Sequence, residues 1–124
     1  MHMLLIVDDN VNFISRMIGL LENVVADKEI CVANNFDEAI SFFEDTDPDI
    51  ILLDINMPGK NGMDLLKYIN QKKMHAQVIM LTNHAEDYYR QQCFELGAKL
   101  FLDKSNDFAL VPGIMKKMFR IQET

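Results

Sequence analysis

The sequence predicts an α/β fold: a five-stranded, doubly wound parallel sheet in the order 2-1-3-4-5, with five helices on its two faces. Three observations lead there. Five short runs rich in Ile, Leu and Val recur along the chain, and their nearly continuous apolar character suits strands buried on both faces. Segments of helical periodicity lie between them, so strand and helix alternate throughout. Polar residues able to do chemistry sit at the C-terminal ends of four runs, and a parallel sheet brings all its strand C-termini to one edge.

The first strand is "LLIVDD", residues 4–9, which runs straight into the adjacent aspartates Asp8 and Asp9. Val11, Ile14, Met17, Ile18, Leu21 and Val25 then form a helical stripe. The second strand, "EICVAN" at 29–34, leads to a stripe of Phe36, Ala39, Ile40 and Phe43, opened by Asn35 with Glu38 three residues on as an N-cap pair. The third, "DIILLDI" at 49–55, delivers Asp54 to a loop "NMPGKNG" whose Pro58-Gly59 and Asn61-Gly62 carry turn chemistry. Met63, Leu66 and Ile69 follow as the third stripe.

The fourth strand, "QVIMLTN" at 77–83, carries Thr82 near its end. Tyr89, Cys93 and Leu96 make the next stripe, and Gly97 stands where a helix C-terminus takes a left-handed residue. The fifth strand, "AKLFLDK" at 98–104, ends at Lys104. Val111, Ile114, Met115 and Met118 mark the last helix. Pro112 fits the first turn of a helix that starts near Val111 and would break one that starts at Asn106, so residues 105–110 are predicted as a turn. The stripes, with most of the nine methionines, are core positions, and no repeat, low-complexity tract or linker divides residues 1–124 into more than one domain.

With 49% apolar and 25% charged residues the chain has the composition of a soluble globular domain. A net charge of −7 argues against direct nucleic-acid binding, which needs a basic face. Its apolar runs reach only about a quarter of the roughly 20 residues a membrane helix needs, and the first of them is too short and too soon acidic for a signal peptide. Cys31 and Cys93 have no metal-type spacing and are expected as buried free thiols in a reducing cytoplasm. His2, His75 and His84 show neither metal spacing nor a paired nucleophile.

In the order 2-1-3-4-5 the switch point lies between the first and third strands, so Asp8, Asp9 and Asp54 meet in one pocket while Thr82 and Lys104 approach from the other side. Three close carboxylates repel, and a hard divalent cation relieves them. Mg²⁺ suits the set, because it takes one or two carboxylates, keeps waters and completes its shell with phosphate oxygens. Lys104 adds a positive point charge for an anion and Thr82 a hydroxyl donor. Together these make a site for phosphoryl chemistry, in which an aspartate can act as nucleophile and form an acyl phosphate.

"VDDN" at 7–10, "LLDINMPGKNG" at 52–62, "MLTN" at 80–83 and "ELGAKLFLDKS" at 95–105 together resemble the receiver domain of two-component response regulators, a flavodoxin-like fold. The resemblance covers essentially the whole chain. It implies that Asp54 is the phosphoacceptor, that Asp9 ligates Mg²⁺ directly, and that Asp8 acts partly through water. It implies a metal contact from the backbone carbonyl of Asn56, a switch hydroxyl at Thr82, a phosphoryl-pairing Lys104 and an aromatic rotamer switch at Phe101. The donor it implies is a histidine kinase or a phosphotransfer protein, and the output an effector protein or a homodimer at the face of the fourth helix, fifth strand and fifth helix, where Tyr88, Tyr89 and Arg90 lie. Such a chain, ending at Thr124 after its last helix, is expected to be a stand-alone cytoplasmic signalling domain and not an enzyme.

Four positions bear on how the switch is tuned. Ser105 follows Lys104 where many receivers have proline, so no cis peptide is expected there. Asn83 is bulkier than the small residue common after the switch threonine, and His84 and Asn56 stand where the family tunes dephosphorylation. Two other function classes compete. A Mg²⁺-dependent phosphohydrolase would use the same carboxylates, but Asp8 is followed by Asp9 and Asn10 and so makes no Asp-x-Asp nucleophile–acid pair, and no cap domain could enclose a substrate. A phosphorylation-independent interaction module would keep the fold alone, with Asn83 as the feature in its favour. A flavodoxin-like cofactor carrier fails for want of a phosphate-binding loop after the first strand.

Overall fold

The computed structural model describes residues 3–83 and 87–123, at the level of the backbone alone for Asp27, Asp87, Tyr88 and residues 120–123. Five strands, β1 (Leu4–Val7), β2 (Ile30–Ala33), β3 (Ile50–Leu53), β4 (Gln77–Thr82) and β5 (Leu100–Asp103), alternate with five helices. These are α1 (Val11–Leu20), α2 (Phe36–Asp45), α3 (Gly62–Gln71), α4 (Asp87–Glu95) and α5 (Val111–Glu123). All neighbouring strands are parallel, in the order β2-β1-β3-β4-β5.

Strand side chains alternate between the two faces, and both faces are covered. Leu5, Val7, Ile51, Leu53, Val78 and Met80 meet α2, α3 and α4, through residues such as Ala39, Leu66 and Cys93. Leu4, Ile6, Ile50, Leu52, Ile79 and Leu81 meet α1 and α5, through Phe13, Met17, Met115 and Phe119. Two cores back to back explain why the central runs are apolar at every position instead of every second one.

The edges depart from that rule. β2 was expected to be buried on both faces, yet only Ala33 of its four residues is buried and Val32 is 38% exposed. It pairs with β1 on one side only, and among the described residues no strand neighbours its outer side. Cys31 is therefore half-buried, against the expectation of two buried thiols, while Cys93 is fully buried and its thiol is pushed up to about 11 by desolvation.

Local signals placed the helix ends. Asn35 Oδ1 accepts the Glu38 N–H at 2.9 Å, and Glu38 Oε1 accepts the N–H of Asn34, one residue earlier than an ideal capping box. Asn61 and Asp64 form the full box at α3. Gly97 closes α4 at φ +97°. α1 stops at Leu20, sooner than its apolar stripe, and the N–H groups of Val24 and Val25 turn back onto the Leu21 carbonyl. Val25 stays buried in that turn, whereas Val11, at the start of the stripe, is exposed. Residues 105–110 form a turn and a short 3-10 segment, and α5 begins at Val111 with Pro112 in its first turn, as predicted.

Candidate functional site

Every residue singled out at a strand end reaches the same edge of the sheet. β1 hands on to Asp8, β3 to Asp54, and β5 to Lys104, while Thr82 is the last residue of β4. The registers Val7–Leu53 and Thr82–Asp103 hold these ends level. The loop positions are held by hydrogen bonds that continue the ladder: Asp8 N–H to Ala33 O, Asp54 N–H to Val7 O, and Lys104 N–H to Thr82 O, each 3.0 Å.

Asp8 and Asp54 are 2% and 5% exposed, and Thr82 is fully buried. Asp9 is exposed. One carboxylate oxygen from each of Asp8, Asp9 and Asp54 lies within 4.8 Å of the others, which is the acidic group among the described residues able to hold a cation. Lys104 reaches into it. Its Nζ stands 2.7 Å from Asp8 Oδ2 and 3.1 Å from Asp54 Oδ2, and 4.3 Å from the centre of the Phe13 ring.

The remaining acceptors are partly committed. Asp8 Oδ1 takes the Asn10 N–H at 2.9 Å, and Asn10 Oδ1 in turn caps α1 through the Phe13 N–H. Asp54 Oδ1 takes the Asn56 N–H at 3.3 Å, which sets Asn56 beside the cluster, exposed at the loop's entry. Burial pushes the Asp8 carboxyl above its usual range, and the Lys104 and Asn10 hydrogen bonds, which act the other way, do not cancel that effect; the nearby Asp54 charge adds to it.

Outward from the lysine lies a polar cleft of about 560 Å³ between the start of α1 and the loop before α5, with Asn12, Arg16, Asn83 and Asn106 in its walls. Phe101 is buried on the opposite side of β5, where the exposed Arg90 guanidinium lies 5.3 Å from its ring centre. His84 and the side chain of Tyr88 lie outside the described residues. Sequence reasoning missed Phe13 beneath the lysine and Asn10 as the cap that ties α1 to Asp8. Only the second left a signal, an Asn just ahead of an apolar stripe.

The family model for the response regulator receiver domain matches residues 4–114. The chain belongs to the response regulator receiver family. The receiver is 37% identical over 115 residues to the transcriptional regulatory protein CpxR of Escherichia coli (strain K12), covering 92% of this chain and 48% of that one. It is 30% identical over 117 residues to the sensory transduction protein LytT of Bacillus subtilis (strain 168), covering 94% and 48%. It therefore spans about half the length of these curated relatives. Among solved structures, the receiver domain of a DNA-binding response regulator (merR) from Colwellia psychrerythraea 34H superposes with a TM-score of 0.88 at 24% identity, covering 97% of this chain and 99% of that one. A receiver domain from Methanospirillum hungatei JF-1, described as CheY-like, gives 0.83 at 23%, covering 99% and 98%. Receivers are signalling domains of two-component systems, in which phosphorylation carries the signal. No described helix is long and apolar enough to cross a membrane.

Proposed function

We propose that Asp54 accepts a phosphoryl group and that this receiver is a phosphorylation-driven switch of a two-component system. The observation that supports this most is the Lys104 ammonium bridging Asp8 and Asp54 inside an otherwise acidic pocket. An oxygen of the Asp54 carboxylate attacks the phosphorus of a phosphohistidine on a histidine kinase or phosphotransfer protein. The P–N bond breaks, the imidazole leaves with the electron pair, and an acyl phosphate remains on Asp54. Lys104, already 3.1 Å from Asp54 Oδ2, pairs with the incoming phosphoryl oxygens.

The donor set suits a hard divalent ion. It offers three carboxylates within reach of one another, one of them open to solvent. Asp8, Asp9, Asp54 and the Asn56 backbone carbonyl would hold Mg²⁺, which when bound neutralises charge on the transferring group. Thr82 supplies the switch hydroxyl and Phe101 the aromatic rotamer change. Together they carry the state of the site to the α4-β5-α5 face, where the exposed Arg90 and Phe94 offer contacts for an effector or for a second copy. In this reading residues 1–124 form one receiver domain, working in the cytoplasm without direct nucleic-acid contact. Its own chemistry is limited to self-phosphorylation from small donors and to autodephosphorylation.

Intact mass after incubation with acetyl phosphate tests it. Wild type gains one phosphoryl group in the presence of Mg²⁺, and Asp54→Asn gains none. If wild type stays unmodified where a control receiver reacts, and a kinase donor fails as well, the phosphorylation-independent interaction module is the better reading. The exposed Asn83 in the wall of the cleft beside Lys104 favours that alternative.

A further inference from the structure

The loop that carries Lys104 is wired by two aspartates with no part in the chemistry above. Asp103 Oδ1 accepts the Ser105 N–H at 2.8 Å and the Asn106 N–H at 2.9 Å. Asp107 Oδ2 accepts the Asp103 N–H at 2.8 Å, and the Asp107 N–H returns to the Asp103 carbonyl at 2.9 Å. The Lys104 N–H goes to Thr82 O, and the Leu110 N–H goes to the Asp107 carbonyl, which ties the loop to the start of α5. From 103 to 107 every backbone N–H is therefore engaged, all but that of Lys104 through the Asp103–Asp107 pair.

We propose that Asp103 and Asp107 are positioning residues for Lys104, a reciprocal clasp that fixes its backbone so that its ammonium reaches Asp54. This inference rests on the reading of Asp54 and Lys104 just given. A lysine is a point charge on a flexible four-carbon stem, so its head is only as well placed as its Cα. Here the stem is enclosed: the side chain is 8% exposed and the ammonium sits over Phe13 between two carboxylates. A backbone free to hinge at 105 and 106 would let it swing toward the polar cleft, whose walls those same residues form. Ser105 matters through its N–H. A proline at this position has none, so the clasp could not form in this way. Charged carboxylates as acceptors make these bonds stronger than neutral ones.

The test uses the full chain and the variants Asp103→Ala, Asp103→Asn, Asp107→Ala and Lys104→Ala. Phosphorylation by acetyl phosphate is followed at saturating Mg²⁺, and Mg²⁺ affinity is measured by calorimetry. One lost hydrogen-bond acceptor is worth about a fivefold population change. The rate in Asp103→Ala is therefore expected to fall about five- to tenfold, while Asp103→Asn, which keeps an acceptor oxygen, stays within about threefold of wild type. Mg²⁺ affinity in Asp103→Ala moves in the same direction as in Lys104→Ala, because both release Asp8 and Asp54 from a competing ammonium; a merely structural loop defect does not predict that. The clasp is overturned if Asp103→Ala keeps the wild-type rate while Lys104→Ala loses it, or if Asp103→Asn is as slow as Asp103→Ala. Asp107→Ala serves where Asp103→Ala does not fold. Should wild type take up no phosphoryl group from acetyl phosphate or from a kinase donor, the functional reading fails separately. Amide exchange at 105 and 106 then decides the clasp, which requires faster exchange in Asp103→Ala and falls if exchange is unchanged.

Discussion

The two ends of the sheet carry similar groups in different surroundings. At the C-terminal edge Asp8, Asp54 and Lys104 are almost wholly enclosed. At the N-terminal edge His75 lies between Asp47 and Asp49, with Nδ1 2.9 Å from Asp47 Oδ2 and Nε2 3.4 Å from Asp49 Oδ1. There the His75 and Asp47 side chains are 53% and 66% exposed, and Asp49 spends its other oxygen on the Met3 N–H at 2.8 Å. The N-terminal cluster is open to solvent, and through Asp49, bonded to Met3 by both its side chain and its backbone N–H, it joins the strand starts. Desolvation leaves the C-terminal one under electrostatic stress. Acids beside a nitrogen group do not by themselves mark a candidate site; burial at the switch point is what sets the C-terminal edge apart.

Four experiments put pressure on that contrast. The largest effect is expected from packing beneath the acidic edge. A Cβ on Gly62 would collide with the Asp54 carbonyl oxygen and come within 2.8 Å of Ile55 Cα, both backbone atoms that cannot step aside. Gly62→Ala should cost about 3 kcal/mol in urea unfolding and displace the β3–α3 loop. A loss under about 1 kcal/mol would mean that the C-terminal edge is looser than its burial implies.

Next in size is the response to Mg²⁺. At a hundred times its dissociation constant the ion should add about 2.7 kcal/mol to the stability of wild type. Asp9→Asn should change little without Mg²⁺, since Asp9 is exposed, but should lose most of that gain. If Asp9→Asn responds to Mg²⁺ as wild type does, the acidic edge is not one cation site.

Third comes the stress itself, read without Mg²⁺. The Asp8 carboxyl is raised in the folded state, chiefly by burial. Between its ordinary range and the raised value the folded protein holds a proton that the unfolded chain has released, so stability falls as pH rises through that window. Asp8→Asn removes this fall and should be the more stable protein at neutral pH. A less stable Asp8→Asn across that pH range would show that the Lys104 pairing outweighs the desolvation, and that the two ends of the sheet differ less than their burial implies.

How much of this was legible depends on what kind of information each feature needs. The strands and their common edge could be read because burial on both faces writes Ile, Leu and Val continuously, and a parallel sheet then forces Asp8, Asp54, Thr82 and Lys104 together. The half-exposure of Cys31 and Val32 was not legible, because local composition does not say which strand lies at an edge. Nor was the Lys104 bridge to both acids, which depends on how far one flexible stem extends. The stripe of α1 overran its helix because Val25 is buried by a turn, and apolar periodicity records burial before it records helix. His75 was set aside for lack of metal spacing; its two aspartates come from another loop, 26 and 28 residues upstream, a distance at which sequence carries no pairing signal.

The smallest effect is expected at the N-terminal edge, and its smallness is what the contrast requires. Asp47→Ala removes the closer of the two His75 contacts, yet both partners are more than half exposed, so water replaces most of what is lost. Exposed pairs of this kind contribute roughly 0–1 kcal/mol, and the residual Asp49 contact keeps the ring tethered, which places this change below about 0.5 kcal/mol. Added salt should erase any Coulombic part of that difference, because exposed charges are screened within about 10 Å at 0.1 M ionic strength. Urea unfolding of wild type and Asp47→Ala at low and high salt measures it. A loss well above 1 kcal/mol that persists at high salt would show that exposure does not relieve this cluster. Burial would then no longer be what separates the candidate site's edge of the sheet from the opposite one.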